Sequence, residues 1–134
     1  MSDPTVELPE GWHRHRRDDR DDAIVEYRHE TGENTTFVVS VRRRPDPSDR
    51  YELRLSTIDP GADHVRHDYP VETYETRTDA LTDAESFVEL LTSRLESGSV
   101  SATHPGIDEI RRAIDDFANE SLLSPVRGLI HRLR

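Results

Sequence analysis

Cysteine, lysine and glutamine are absent from the 134 residues of this chain. Without cysteine the chain forms no disulfide, no thiolate zinc site and no cysteine nucleophile. Aromatic residues are few (one Trp, four Tyr and three Phe), and most occupy alternating positions suited to a core rather than to base stacking. No stretch approaches the roughly 18 apolar residues of a membrane span. The acidic segment 1–10 also lacks the apolar core of a signal peptide, so we expect a cytoplasmic protein.

Acidic residues dominate the charge. All 18 basic residues are arginine, aspartate outnumbers glutamate by 15 to 13, and the net charge is −10. Molar salt shortens the Debye length to about 3 Å, so surface carboxylates repel one another little there. High net charge also keeps a protein in solution where salt would drive association. The composition resembles that of small acidic proteins of extreme halophilic archaea. The resemblance implies that the protein functions in molar salt, and it implies no particular fold or activity.

Alternating apolar residues predict half-buried β-strands in the first half of the chain. The alternation begins at Trp12 and is clearest in "AIVEYRHE", "TTFVVSVRRR" and "YELRLSTI". The connectors "ETGENT" and "PDPSD" contain the Gly, Asn and Pro of tight turns, which favour antiparallel hairpins. A weaker fifth strand is expected over 65–75, where Pro70 indicates an edge position or a break.

The apolar spacing becomes helical after position 79 and predicts a helix that ends near Leu95. Thr78 or Asp79 is the expected N-cap, Arg94 lies in the last turn, and Gly98 suits the end of the helix. The helix has one apolar stripe and the strands have one apolar face. Each surface needs the other, so we expect the helix to cover the sheet.

The remaining residues predict a helical C-terminal extension. The segment 98–104 has the composition of a flexible linker. Pro105 suits a first helical turn, and a stripe from Ile107 to Phe117 follows it. A second helix is expected after Ser124 and Pro125, which makes 105–134 a helical hairpin.

The expected fold is therefore α+β: an antiparallel four- to five-stranded meander covered by one helix, with a C-terminal helical hairpin. Residues 1–10 are expected to form a flexible arm, and residues 11–97 the sheet-plus-helix domain. Leu, Ile, Val and Phe number 30 of 134, just above the roughly 20% below which a highly charged chain stays disordered, so the prediction depends on this patterning.

The stretch "GWHRHRRDDRDD", residues 11–22, suggests a nucleic-acid contact. The arginines that would make it are Arg14, Arg16, Arg17, Arg20, Arg42, Arg43 and Arg44. Four aspartates follow the first arginines directly, and phosphate binding by counterion release weakens steeply with salt. The alternative is an edge strand whose charged side chains face solvent and discourage edge pairing.

Histidine is frequent, with seven residues, but its spacing is generic. His13 and His15 share a strand face, and His64 and His67 are flanked by Asp63 and Asp68. Two histidines and a carboxylate suit zinc or iron. No HExxH or thiolate pair supports such a site, and Arg66 would repel a cation, so we expect no metal or cofactor. No nucleophile elbow, catalytic lysine or phosphate-binding glycine loop occurs, and we expect no catalytic residues.

The most distinctive segment is 121–134, which has three arginines and no acid. Its formal charge is +3, against −13 for the rest of the chain. A basic amphipathic helix docks on a protein partner, on a membrane surface or on its own domain. The sequence therefore predicts a protein-interaction or adaptor module, with nucleic acid and a membrane surface as alternatives. The expected partner-binding residues are Val126, Arg127, Leu129, Ile130, Arg132 and Leu133.

The halophilic composition predicts the dependence of stability on salt. Screening reduces carboxylate repulsion, so the melting temperature should rise as KCl is increased from about 0.1 M to above 1 M, where the Debye length falls from about 10 Å to about 3 Å. A thermal melt followed by circular dichroism measures this. A melting temperature that is flat or falls across the range would contradict the prediction.

Overall fold

The computed structural model describes residues 8–15, 23–30, 34–44, 50–61 and 65–123. Within these residues five strands precede two helices, which confirms the α+β class. The elements are β1 (Trp12–His15), β2 (Ala23–His29), β3 (Thr36–Arg43), β4 (Tyr51–Ile58), β5 (Arg66–Tyr74), α1 (Arg77–Ser97) and α2 (Ile107–Leu123). The segment 124–134, where the second helix of the hairpin is predicted, and the expected arm up to residue 7 lie outside the described residues.

The strands form one antiparallel meander in the order β1-β2-β3-β4-β5. Residues directly opposite each other on neighbouring strands share a face, and the register places Tyr27 opposite Val39 and Val39 opposite Leu55. All three side chains are buried, so one face of the sheet is apolar across its centre. Both helices contact the sheet, α1 on β3, β4 and β5, and α2 on β5.

Pro70 lies in β5, which is an edge strand, and a register irregularity follows at Leu53 and Arg54 of β4. There Leu53 pairs with Glu72 and Arg54 with Pro70, so Val71 is an extra residue in β5. Proline lacks an N–H for the strand ladder, which explains why it occurs at an edge beside a bulge. The edge position inferred from Pro70 is confirmed, and the strand continues through Pro70 with a bulge instead of a break.

The sequence prediction of the N-cap of α1 is wrong by two or three residues. Thr76 is the cap: its backbone is extended, and its hydroxyl accepts a hydrogen bond from the backbone N–H of Asp79. Asp79 instead supplies negative charge to the first turn, where it favours the helix dipole. Arg94 in the last turn and Gly98 at the left-handed C-cap (φ 82°) agree with the prediction.

A buried hydrogen bond joins β5 to α1. The Tyr74 hydroxyl donates to Asp83 Oδ2 at 2.6 Å, and both residues are buried. This bond matters because α1 contributes most of the cover of the sheet, through Ala80, Ala84 and Phe87 among others. A buried carboxylate is tolerated only where it is hydrogen bonded, so the pair also specifies the position of the helix on the sheet.

The second helix contributes to the same core as the first. The rings of Phe87 in α1 and Phe117 in α2 meet edge to face, with centroids 5.1 Å apart. Ile110 is fully buried with them, and Arg94 pairs with Asp116 at 2.9 Å beside this contact. The sheet is thus covered by two helices rather than the single one expected, and α2 begins at Ile107 instead of Pro105.

The connection between the helices also contacts the core. Within 98–104, predicted as a flexible linker, Val100 is buried. The backbone N–H of Thr35 donates to Ala102 O at 2.9 Å, and the Thr35 hydroxyl donates to Thr103 O at 2.9 Å. These bonds attach the connection to the start of β3, and they limit where α2 lies relative to the sheet.

Trp12 begins β1 and closes one end of the core. Its indole Nε1 donates to the Thr92 hydroxyl of α1 at 2.8 Å, and its ring lies 5.2 Å from that of His29. Gly11 precedes it at φ 92°, and a Cβ there would lie only 2.8 Å from His29 Nε2. Backbone conformation and space therefore both require glycine at this position.

His29 has a polar atom without a partner. Its Nδ1 is buried and makes no hydrogen bond in the part of the chain that the structure describes. Burial lowers the pKa of His29 below its ordinary value, because the charged imidazolium loses hydration, and an opposing contribution from its own backbone is smaller. The native state therefore favours a neutral ring between Trp12 and Phe37.

The contact between Phe87 and Phe117 predicts that α2 stabilises the whole fold. Phe117→Ala should lower the free energy of unfolding by about 3 kcal/mol, since it removes a buried ring and leaves a cavity. Asn119→Ala, at an exposed position of the same helix, is the matched control and should change it little. Chemical denaturation at high salt measures both values; equal effects would show that α2 lies off the core.

The neutral state of His29 predicts that the free energy of unfolding decreases as the pH is lowered. Below the ordinary histidine pKa of about 6.5 the unfolded chain binds a proton that native His29 resists, so stability present above that pH is lost as pH decreases towards the lower native pKa. Melting curves between pH 7.5 and 5.5, followed by Trp12 fluorescence, should show this loss in the wild type and less of it in His29→Phe. His13→Phe, which replaces an exposed histidine of β1, should behave as the wild type. Identical losses in the wild type and His29→Phe would refute the assignment.

Candidate interaction site

The two faces of the sheet differ in chemistry. Within the described residues both helices pack on one face, and the other face is polar. On three strands of the polar face, β2, β4 and β5, an arginine pairs with an acid two residues away. Arg28 Nε lies 2.7 Å from Glu26 Oε1, Arg54 Nη2 lies 2.7 Å from Glu52 Oε1, and Arg66 Nε lies 2.9 Å from Asp68 Oδ1. Positions i and i+2 of a strand share a face, which explains this regular pairing.

Two of these acids illustrate how far the pairing neutralises charge. Glu26 is only 2% exposed, so its ion pair with Arg28 compensates for a buried carboxylate. Burial raises the pKa of Asp68, but hydrogen bonds from the Ser56 hydroxyl and from Arg66 outweigh this and hold the pKa below its ordinary value. Arg28 and Arg66 are therefore partners of acids within the fold.

The arginines proposed for nucleic acid do not form one surface. Arg14 pairs in register with Tyr27 on the helix-covered face, whereas Arg42 pairs with Glu52 on the polar face. Burial raises the pKa of the Tyr27 hydroxyl, Glu85 of α1 raises it further, and Arg14 lowers it, so Arg14 lies within the field of this cluster. Arg43 is exposed, Arg44 is half-buried, and residues Arg16, Arg17 and Arg20 lie outside the described part.

The histidines discussed for metal binding are also apart. His13 and His15 are exposed on β1, at one edge of the sheet, and His67 lies on β5 at the other. His64 and Asp63 lie outside the described residues. Among the residues that the structure describes, no group of three or more His, Asp or Glu side chains could hold a metal ion.

A cleft of about 520 Å³ lies between β5 and α2. Its α2 wall presents positions spaced as one helical face, and its β5 wall is the edge strand around Tyr69. The lining residues are His67, Asp68, Tyr69, Pro70, Ile107, Arg111, Ile114 and Asp115. The cleft thus combines an apolar floor with charges of both signs at its rim, a composition typical of surfaces that bind an amphipathic segment.

Ile107 and Ile114 show that the apolar stripe of α2 is only partly covered. Ile107 is 54% exposed and Ile114 is half-buried, while Ile110 in the same stripe is fully buried. The sequence predicted the stripe but not the cleft, because spacing identifies a face without showing how wide a surface its partner covers. The exposure of Ile107 at the start of the stripe indicates the cleft, and it is visible only in the packed structure.

The six predicted partner-binding residues, Val126, Arg127, Leu129, Ile130, Arg132 and Leu133, lie outside the described part of the chain. The cleft is on the helix that leads into them. Among the described helices, none has the length and apolar character needed to cross a bilayer. Comparison with protein-family models, with curated proteins and with solved structures finds no match for this chain.

Proposed function

We propose that this chain is a non-catalytic protein-interaction module of a salt-rich cytoplasm, and that it binds its partner through the C-terminal amphipathic segment. The residues that make the contact are Val126, Arg127, Leu129, Ile130, Arg132 and Leu133. Hydrophobic contacts are the appropriate ones in molar salt, because screening weakens exposed ion pairs and leaves apolar burial intact.

The observation that carries this proposal is the exposed apolar surface of α2. In the described residues, the only large hydrophobic side chains classed as exposed are Ile107, at 54%, and Val65, at 44%. Ile107 lies on the cleft, on the helix that leads into the basic segment. Apolar side chains that remain in contact with water beside an amphipathic segment are typical of a surface used for binding.

The sheet edges support a helical rather than a strand-mediated contact. β1 has four residues, and His13, Arg14 and His15 are exposed on it. β5 carries Pro70 and a bulge. Charged side chains, proline and bulges are the features by which proteins prevent addition of a further strand. The helical end of the chain is therefore the favoured interface.

The nucleic-acid alternative is weaker because three arginines of the polar sheet face already have acidic partners. Arg28, Arg54 and Arg66 each pair with an acid on their own strand, and a phosphate would have to displace that acid. The loss of phosphate affinity with salt acts in the same direction. For a membrane surface, the described residues supply no supporting feature beyond the cleft itself.

Ile130→Asp tests the proposal against a matched control, His131→Asp. Both changes introduce one carboxylate into the same segment, but only Ile130 belongs to the apolar face. The partner is first isolated by retention on the wild-type chain in molar KCl, then purified, and its Kd is measured for each variant. Ile130→Asp should weaken binding by about tenfold or more, and His131→Asp should retain it. The Kd of the wild type should not increase as the KCl concentration is raised.

Stability must be measured on the same variants, since a misfolded chain would also lose its partner. The melting temperature of isolated Ile130→Asp should remain near that of the wild type, whereas Phe87→Asp, a fully buried position, should unfold the protein. A fall as large as that of Phe87→Asp would overturn the proposal, because it would make Ile130 a core residue. Equal loss of binding in the two segment variants would overturn it as well.

A further inference from the structure

The cleft between β5 and α2 lacks a cover in the described part of the chain. Its α2 wall runs from Ile107 to Asp115, which is nine residues, or about 12 Å at the rise of an α-helix. Arg111 and Asp115 are exposed on it, and no ion pair joins them in the described residues. The opposite wall offers the Tyr69 ring and Pro70. An occupant therefore needs an apolar side and a basic group that suits Asp115.

The segment 124–134 has the reach to occupy this cleft. From Leu123, where α2 ends, Ile114 lies nine residues back along the helix, or about 14 Å. After a two-residue reversal, the nine residues 126–134 in helical conformation extend about 14 Å, which returns the end of the segment to the level of Ile114 and Asp115. Ser124 and Pro125 suit the short reversal between two antiparallel helices, since the residue before proline disfavours continuation of α2.

The chemistry of the segment also matches the cleft. Leu129 and Leu133 are four residues apart, so they lie on one face of the predicted helix. At full reach, Leu133 would lie within one helical turn of the level of Ile114, and the long side chain of Arg132 would reach Asp115. The segment contains no acid, so it suits Asp115 at the end of the cleft nearest to Leu123, whereas Arg111 lies one helical turn further away. Length, apolar spacing and charge thus agree on one occupant.

We infer that residues 124–134 dock in cis into the near end of the β5–α2 cleft, with Leu133 on Ile114 and Arg132 beside Asp115. The inference rests on the proposed function in taking this segment as the binding element of the chain. Docking would cover the apolar face of the segment when no partner is present. The partner and the cleft then compete for Leu129 and Leu133, which limits non-specific association of an exposed apolar helix.

The absence of cysteine makes a direct test possible. Arg134→Cys introduces a single thiol into the full-length chain, and a nitroxide attached there broadens the NMR signals of nearby amides. We expect the amide signals of Ile114 and Asp115 to lose intensity severalfold. Amides of His13 and His15, on the opposite edge strand, should keep theirs. A mixture of two chains tests for contact with a second copy: one chain carries the nitroxide and no ¹⁵N, and the other carries ¹⁵N and no nitroxide. In this mixture no broadening should occur.

Leu133→Asp and His131→Asp separate docking from mere proximity along the chain. In the spin-labelled chain Leu133→Asp should restore the Ile114 signal, while His131→Asp should leave it broadened. Undisturbed signals at Ile114 in the labelled wild type would overturn the inference, and so would broadening found only in the mixture, which would identify a second copy as the occupant. The measurement needs no partner, so its failure leaves the binding test of Ile130→Asp unaffected, and the reverse also holds.

Discussion

The structure depends on one constraint: the sheet has a single apolar face, and two helices are needed to cover it. Phe37, Val39, Leu53 and Leu55 form the centre of that face and are fully buried. α1 covers β3 to β5, and α2 adds Phe117 against Phe87. Because the chain has few apolar residues, the core needs those of α2 as well. Packing in the core therefore determines the position of α2, and the cleft on its outer side follows from that position.

Charge is arranged around the same constraint. Acids outnumber basic residues by 28 to 18, yet on the polar sheet face Arg28, Arg54 and Arg66 each pair with an acid two positions away. Neutralisation within each strand allows a carboxylate such as Glu26 to be buried without opposing the fold. The uncompensated negative charge is then left for exposed positions, where molar salt screens it. The proposed interaction depends instead on the apolar surface that stays exposed on α2 at Ile107.

The strands and their order follow from local patterning, because alternation in residues such as Val25, Tyr27 and His29 needs only one buried face. The N-cap could not be located so well: Thr76 and Thr78 carry the same side chain, and only the extended backbone of Thr76 makes it the cap. The cleft and the exposure of Ile107 depend on how far α2 lies from β5, which contacts distant in sequence determine. The predicted partner-binding residues from Val126 to Leu133 remain a prediction of the sequence.

Native-state hydrogen exchange in molar KCl tests the single core most directly. If α1 and α2 cover one apolar face together, the amides of Ala113 and Phe117 should exchange with the same free energy of opening as those of Val39 and Leu55, that of global unfolding. Exchange of α2 at a free energy several kcal/mol lower, with β3, β4 and α1 still protected, would contradict the account, because it would show that the second helix opens without the sheet.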